Sequence, residues 1–142
     1  MSKYLLAIAF LITTSCQTGI FIRETPAALT NIRKAVVMVL GEPRSVSENG
    51  RELVSQYHDR KGKMDPALAH GKSRYYTTVT ILGDRRPYDI QVQVFEEARM
   101  MSNHYEIIAE DYRLARQRAR DIEKALNESL KDRNVIDDFR AF

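Results

Sequence analysis

The chain has 142 residues, 22 Lys and Arg against 19 Asp and Glu, and a formal net charge of +3, with 44% hydrophobic and 29% charged residues. That balance suits a folded, solvated surface and excludes both an acidic disordered tail and a basic stretch of the kind that binds nucleic acid. The single cysteine, Cys16, excludes a disulfide within the chain, so the fold must rest on packing.

The N-terminus carries one cation, Lys3, and then the apolar run Leu5 to Ile12, followed by Thr13, Thr14, Ser15 and Cys16. A bilayer span needs about 20 apolar residues, so this run reads as a cleavable export segment rather than a permanent anchor. Thr13-Thr14-Ser15-Cys16 resembles the lipobox of bacterial lipoproteins, with a small residue directly before the cysteine. The resemblance implies a diacylglyceryl group on the Cys16 thiol, cleavage before Cys16 and acylation of the new amine. Each buried methylene is worth about 0.8 kcal/mol, so two or three chains would hold the protein at a membrane essentially permanently. Gln17 stands where an Asp would resemble an inner-membrane retention signal, which favours the outer membrane. Ordinary secretion, a retained N-terminal helix and a free thiol at Cys16 are the competing readings. No cofactor other than the covalent lipid is implied.

Without residues 1–15 the chain has 127 residues, enough for one domain with a modest core. The expected organisation is a signal at 1–15, a lipidated tether at 16–24, one domain at 25–133 and a C-terminal tail at 134–142. Ile20, Phe21 and Ile22 are more apolar than a free tether requires, which places them on the membrane or on the domain.

Thr25-Pro26 predicts a helix N-cap followed by proline at the first helical position. Leu29, Ile32, Val36, Val39 and Leu40 then share one helical face, and Gly41 and Pro43 end it, giving a helix over 26–40. The segments 44–48 and 51–57 flank Asn49-Gly50, a two-residue hairpin signal. Residues 59–73, with Gly62, Pro66 and Gly71 and no period, predict a long exposed loop. Strict alternation over 75–82 and 88–94 predicts two strands, the second with one apolar and one polar face. Residues 105–109 fit either a further strand or the start of the last helix. From Asp111 to about Leu130, Tyr112, Ala115, Ala119, Ile122 and Leu126 form a stripe that packs on the sheet or serves as a coiled-coil seam. The expected fold class is α+β, an antiparallel sheet of three to five strands packed against an N-terminal helix and a longer C-terminal helix.

Leu40, Gly41 and Pro43, followed by a strand ending at Tyr57, give the stretch from Leu29 to about Val94 a resemblance to the SmpA/OmlA family of small outer-membrane lipoproteins. That family includes the accessory lipoprotein of the β-barrel assembly machine. A strand meander closed by a C-terminal helix is also similar in outline to lipoproteins that plug or escort envelope transport machinery. Both resemblances imply a protein-binding role at the envelope.

The residues themselves name no reaction. His58, His70 and His104 are the only histidines, and no two stand at the i, i+3 or i, i+4 spacing of a local zinc pair. His58 and Asp59, beside a loop with Asp65 and His70, are the one place where an acid–base or metal site could assemble, the basis of a minor hydrolase reading. No glycine-rich phosphate loop and no nucleophile elbow is present. Arg60, Lys61, Lys63, Lys72 and Arg74 around the long loop, with Arg85 and Arg86 between the strands, are candidates for contact with anionic envelope material, or are simply solvated. Ile136, Phe139 and Phe142 recur every third residue and would dock into a partner groove or fold back on the domain. The expectation is therefore a non-enzymatic, lipid-anchored subunit on the periplasmic face of the outer membrane that binds envelope proteins and stabilises their complex. A lipid or small-ligand carrier using a cavity between sheet and helices is the alternative.

Overall fold

A computed structural model describes residues 18–138, with side chains to Lys131; Cys16, Phe139 and Phe142, and the side chain of Ile136, lie outside the described residues. The element order is β1 (Ile20–Thr25), α1 (Leu29–Leu40), β2 (Ser45–Val46), β3 (Glu52–Val54), a short 3-10 helix (Pro66–His70), β4 (Ser73–Leu82), β5 (Tyr88–Arg99), β6 (Tyr105–Glu110) and α2 (Tyr112–Asp138). The fold is α+β as expected: six antiparallel strands with an N-terminal helix and a longer C-terminal one.

The sheet runs β1-β5-β4-β3-β2, and β6 pairs with β5 on the same edge as β1. Strand β5 carries both because it is twelve residues long: β1 faces Tyr88 to Val92 and β6 faces Phe95 to Arg99. The apolar residues of the N-terminal run thus lie on the domain, with Ile20 opposite Val92 and Ile22 opposite Ile90. Residues 105–109 are strand, and β5 outruns its predicted end at Val94 because β4 on one side and β6 on the other give its second half partners.

Alternation does the rest. Val79 and Ile81 on β4 and Ile90 and Val92 on β5 point to one face, where they meet Ile32 and Val36 of α1 and Ile122 of α2 with essentially no exposure. Fully buried side chains therefore fill the space between sheet and helices, where a carrier would need its cavity. The stripe of α2 packs on α1, β1 and β5. Leu114 is buried in it, whereas Tyr112, assigned to the stripe by spacing, is half exposed at the first turn.

Three boundaries move for identifiable reasons. Thr25 does not cap α1; it pairs with Tyr88 as the last residue of β1, and the helix begins after Ala28 without a side-chain cap. The hairpin turn spans Ser47 to Gly50 with only Gly50 at positive φ, so it is a type I turn closed by a left-handed glycine rather than the mirror-image turn that Asn49-Gly50 suggests. Arg33 of α1 fixes it, its Nε donating to the Gly50 carbonyl at 2.7 Å and its terminal nitrogen to the Asn49 carbonyl at 3.0 Å. A Cβ at Gly50 would overlap that guanidinium. Finally, α2 continues beyond Leu130 to Asp138.

The Thr25 hydroxyl is buried and has no hydrogen-bond partner among the described residues. Thr25→Val keeps the shape and removes the orphaned group, and is expected to raise the unfolding free energy by about 1 kcal/mol in urea titration. Ile122→Ala, which empties the interlayer core, should lower it by about 3 kcal/mol in the same measurement.

Candidate functional site

Both α-helices lie on one face of the sheet; the other face is left largely open, with the 3-10 segment against Arg74 at one end and Thr18 held by Gln91 and Gln93 at the β5 edge. The residues of this open face alternate with the core positions: Arg74, Tyr76, Thr78 and Thr80 on β4 stand opposite Glu97, Phe95, Gln93 and Gln91 on β5. Glu52 and Val54 extend the same face across β3, and Ser45 across β2. Together with Arg44 they line an open groove of about 510 Å³.

Tyr57 joins this face because the β3 edge is bulged. After Val54 the chain keeps its pairing with β4 in a modified form. The Ser55 amide donates to the Thr77 carbonyl and the Thr77 amide to the Ser55 hydroxyl, both at 2.9 Å. Three residues after Ser55, His58 exchanges backbone hydrogen bonds with Tyr75 in both directions. Between these anchors Tyr57 turns outward and packs edge-on against Tyr76, 6.3 Å between centroids at 87°. Tyr76 in turn leans on Phe95 at 5.6 Å.

Two arginines interleave with the rings. Arg44 lies 4.1 Å from the Tyr57 ring centroid and 5.5 Å from that of Tyr76, and donates to the Tyr57 hydroxyl. Arg74 is held between Tyr57 at 4.0 Å and Tyr105 at 3.3 Å, while its Nε meets the Glu97 carboxylate at 2.7 Å and another nitrogen donates to the Ala69 carbonyl at 2.6 Å. This ion pair is largely buried, so its partners fix each other and the rings beside them instead of presenting a free charge. Burial, more than the Glu97 carboxylate, raises the Tyr76 hydroxyl above its ordinary pKa and keeps it protonated. The groove therefore offers the hydroxyls of Thr78 and Thr80, the side-chain carbonyl of Gln93, whose amide nitrogen donates to the Thr18 hydroxyl, a ring platform, and the carboxylate of Glu52 at its far side.

His58 supports this surface from behind. Its ring is 1% exposed and stacked on Tyr75. Nδ1 lies 2.9 Å from the Asp59 carbonyl and Nε2 3.0 Å from the Thr77 hydroxyl. A carbonyl only accepts, so Nδ1 carries the proton and the Thr77 hydroxyl donates to Nε2. The bond to Asp59 is to its backbone. The Asp59 carboxylate faces away and accepts from the amides of Lys63 and Lys61, which hold it below its ordinary pKa. Asp65 caps the 3-10 helix through the Ala67 amide, and His70 is exposed at that helix's end. Among the described residues no three His, Cys, Asp or Glu side chains converge as a metal-binding group.

The basic residues separate into two ends of the molecule. Arg60, Lys61 and Lys63 are exposed on the turn after His58, tied to α2 by Arg118 donating to the Gly62 carbonyl at 2.8 Å, and Lys72 is exposed just before β4. Arg85 and Arg86 are exposed beyond the other end of β4, whose ten residues put them about 30 Å away. Arg74 belongs to neither cluster, being engaged in the ring stack. The sequence names Tyr57 only as the end of a strand and assigns Tyr76, Phe95 and Tyr105 no site role; alternation places Tyr76 with Thr78, but no sequence signal announces the bulge. No protein family, curated protein or solved structure matches the chain.

Burial holds the His58 imidazole below its ordinary pKa of 6.5, so between its folded and unfolded values the unfolded chain binds more protons. Stability is then complete above the unfolded value and is lost as pH falls below it. Thermal melts should show a lower Tm at about pH 5 than at about pH 7, with a shallower dependence in His58→Gln; equal slopes would assign the loss to other groups. At the alkaline end, burial first and then the Glu96 carboxylate push the Tyr75 hydroxyl up to about 12. Its folded value lies above the ordinary 10.0, so its contribution is present below that value and is lost as pH rises through it, a second decline that Tyr75→Phe should reduce.

Proposed function

We propose that this protein is a bacterial envelope lipoprotein, anchored by lipid on Cys16 to the periplasmic face of the outer membrane. Its open sheet face then serves as the docking surface of a non-enzymatic subunit that binds and stabilises an envelope protein complex. The observation that carries the binding role is the uncovered face itself: a half-buried ring platform, locked by Arg44 and by the Arg74–Glu97 pair, bordered by hydrogen-bonding groups that have room for a partner. A preorganised aromatic and arginine surface of this kind loses little rotamer freedom on binding, which is why such residues dominate protein interfaces.

Two further observations favour this over the other readings. The layer between sheet and helices, where a carrier would hold its ligand, is occupied by Ile32, Val79, Ile90 and Ile122. His58, the best candidate base, has both ring nitrogens engaged and its ring inside the core. The anchor contributes by confining the domain to a surface, which raises the effective concentration of any partner in that membrane.

Cys16→Ala should release the protein from membranes in fractionation and lose the partners that crosslink to the wild type in the intact envelope. Thr78→Arg, which puts a long cation in the middle of the groove on a half-exposed position, should leave fractionation and the melting curve unchanged while abolishing crosslinking. Unaltered crosslinking in Thr78→Arg would remove the sheet face from the proposal, and unaltered fractionation in Cys16→Ala would remove the lipid.

A further inference from the structure

Four of the eight large apolar side chains exposed among the described residues lie on the β5–β6 hairpin. Ile107 and Ile108 on β6 are each 55% exposed, Met101 at the turn is fully exposed, and Met100 beside it is 38% exposed. Strand β6 has β5 on one side and no described strand on the other, so an unpaired backbone edge accompanies these residues. An apolar edge strand left in water is a site for association, and folded proteins ordinarily cover or charge it. Cations flank this one: Arg99 and Lys72 are joined through backbone at 2.9 Å at the hairpin end, and Arg113 and Arg116 are exposed at the start of α2. The Glu106 carboxylate is taken up by His104 at 2.6 Å.

The path of the N-terminal segment says what covers this edge. Thr18, the first described residue, is held at the β5 edge on the open-face side: its carbonyl accepts from the Gln91 side chain at 2.5 Å, and its hydroxyl lies 2.9 Å from the Gln93 amide nitrogen. The chain therefore enters the fold where β1 begins beside Val92, next to the end of β6, where the Asp111 amide donates to the Val94 carbonyl. Cys16 is two residues before Thr18, a reach of at most about 7 Å. A lipid on Cys16 leaves no slack for the domain to hang free, and brings the β1–β6 edge against the surface that holds the lipid.

We propose that the β5–β6 hairpin is a second membrane contact, with Met100, Met101, Ile107 and Ile108 at the boundary of the acyl chains and Lys72, Arg99, Arg113 and Arg116 among anionic headgroups. Apolar residues ringed by cations are the composition that the bilayer interface selects, and a bilayer rather than a second protein is the surface that the short tether guarantees. The contact rests on the lipid anchor proposed above and adds an orientation to it. The sheet stands on its β1–β6 edge.

The chain contains no tryptophan, so one introduced indole reports its own surroundings. Met101→Trp and Ile108→Trp on the arm, and Val46→Trp on the opposite edge strand β2, are to be expressed as full chains, purified from membranes and reconstituted into phosphatidylethanolamine vesicles with phosphatidylglycerol, with and without brominated acyl chains. In vesicle-bound protein the two arm variants should emit at shorter wavelength and be quenched several-fold more strongly by the brominated lipid than Val46→Trp. Leaving out phosphatidylglycerol, or combining Met101→Trp with Lys72→Glu and Arg99→Glu, should remove most of that difference. Protein that floats with the vesicles yet shows water-like emission and equal quenching at all three positions overturns the arm contact and leaves the anchor standing. Protein that fails to float overturns both. Quenching that does not depend on phosphatidylglycerol overturns the headgroup role of the cations.

Discussion

The length of β5 is the constraint from which the other features follow. Twelve residues of strand are matched over ten by β4 on one side, but on the other side no single segment is long enough, and the edge is shared between β1 and β6. Sharing produces two consequences at once. The N-terminal chain must arrive in the middle of the sheet edge rather than at a corner, where Gln91 and Gln93 hold Thr18. The second half of β5, flanked by β4 on one side and β6 on the other, continues past the point at Asp111 where α2 turns back onto the sheet, and ends in the β5–β6 hairpin. A shorter β5 would end at the core and carry neither the arm nor the central entry point.

The uncovered sheet face depends on a smaller device, a knot of buried polar groups around Ser55, His58 and Thr77. A bulge in the β3 edge leaves backbone groups without their usual ladder partners, and each unmatched buried group costs about 1 to 3 kcal/mol. Here the Ser55 hydroxyl supplies the missing acceptor for the Thr77 amide, and His58 closes the gap between the Asp59 carbonyl and the Thr77 hydroxyl. The knot does not add a charge to the interior, since desolvation keeps the imidazole neutral. Its return is geometric: it turns Tyr57 outward, and Tyr57 is the ring that both Arg44 and Arg74 contact. The histidine that sequence logic singles out for chemistry thus shapes the opposite face of the sheet instead.

What was legible in the sequence follows the physics of each signal. Alternation in β4 and β5 is a direct record of two faces, and the expected class, with its two helices of unequal length, is found. The N-cap pair Thr25-Pro26 misled because a strand pairing, Thr25 with Tyr88, overrode a local preference worth about 1 kcal/mol. Ile20 and Ile22 could not be assigned to the sheet, since their partner lies some seventy residues away and a six-residue segment has no period long enough to declare itself. The same distance hides the ring stack: Arg74 reads as one member of a basic cluster until Glu97, Tyr57 and Tyr105 are brought to it by three separate strand pairings. A sequence announces faces well and juxtapositions poorly, and the candidate surface is built of juxtapositions.

The two surfaces left uncovered, sheet face and hairpin arm, differ in chemistry in the way two different neighbours would require. On the face Arg44, Arg74 and Glu97 are paired or stacked, and besides the Glu52 carboxylate the remaining groups are hydroxyls, amides and rings. On the arm exposed cations stand beside side chains that have no hydrogen-bonding capacity, which suits a boundary between headgroups and acyl chains and weakens with salt over about a Debye length, roughly 8 Å at physiological ionic strength. The face is at right angles to the edge that carries the arm, so one neighbour does not exclude the other. A tether of two residues from Cys16 to Thr18 then acts less as a leash than as a hinge pin. With its edge held at the bilayer, the domain keeps rotation about the membrane normal and loses most other orientations, so a partner in the same membrane meets the Tyr57–Tyr76 platform at a fixed height, and the entropy of orienting the two surfaces is already spent before they touch.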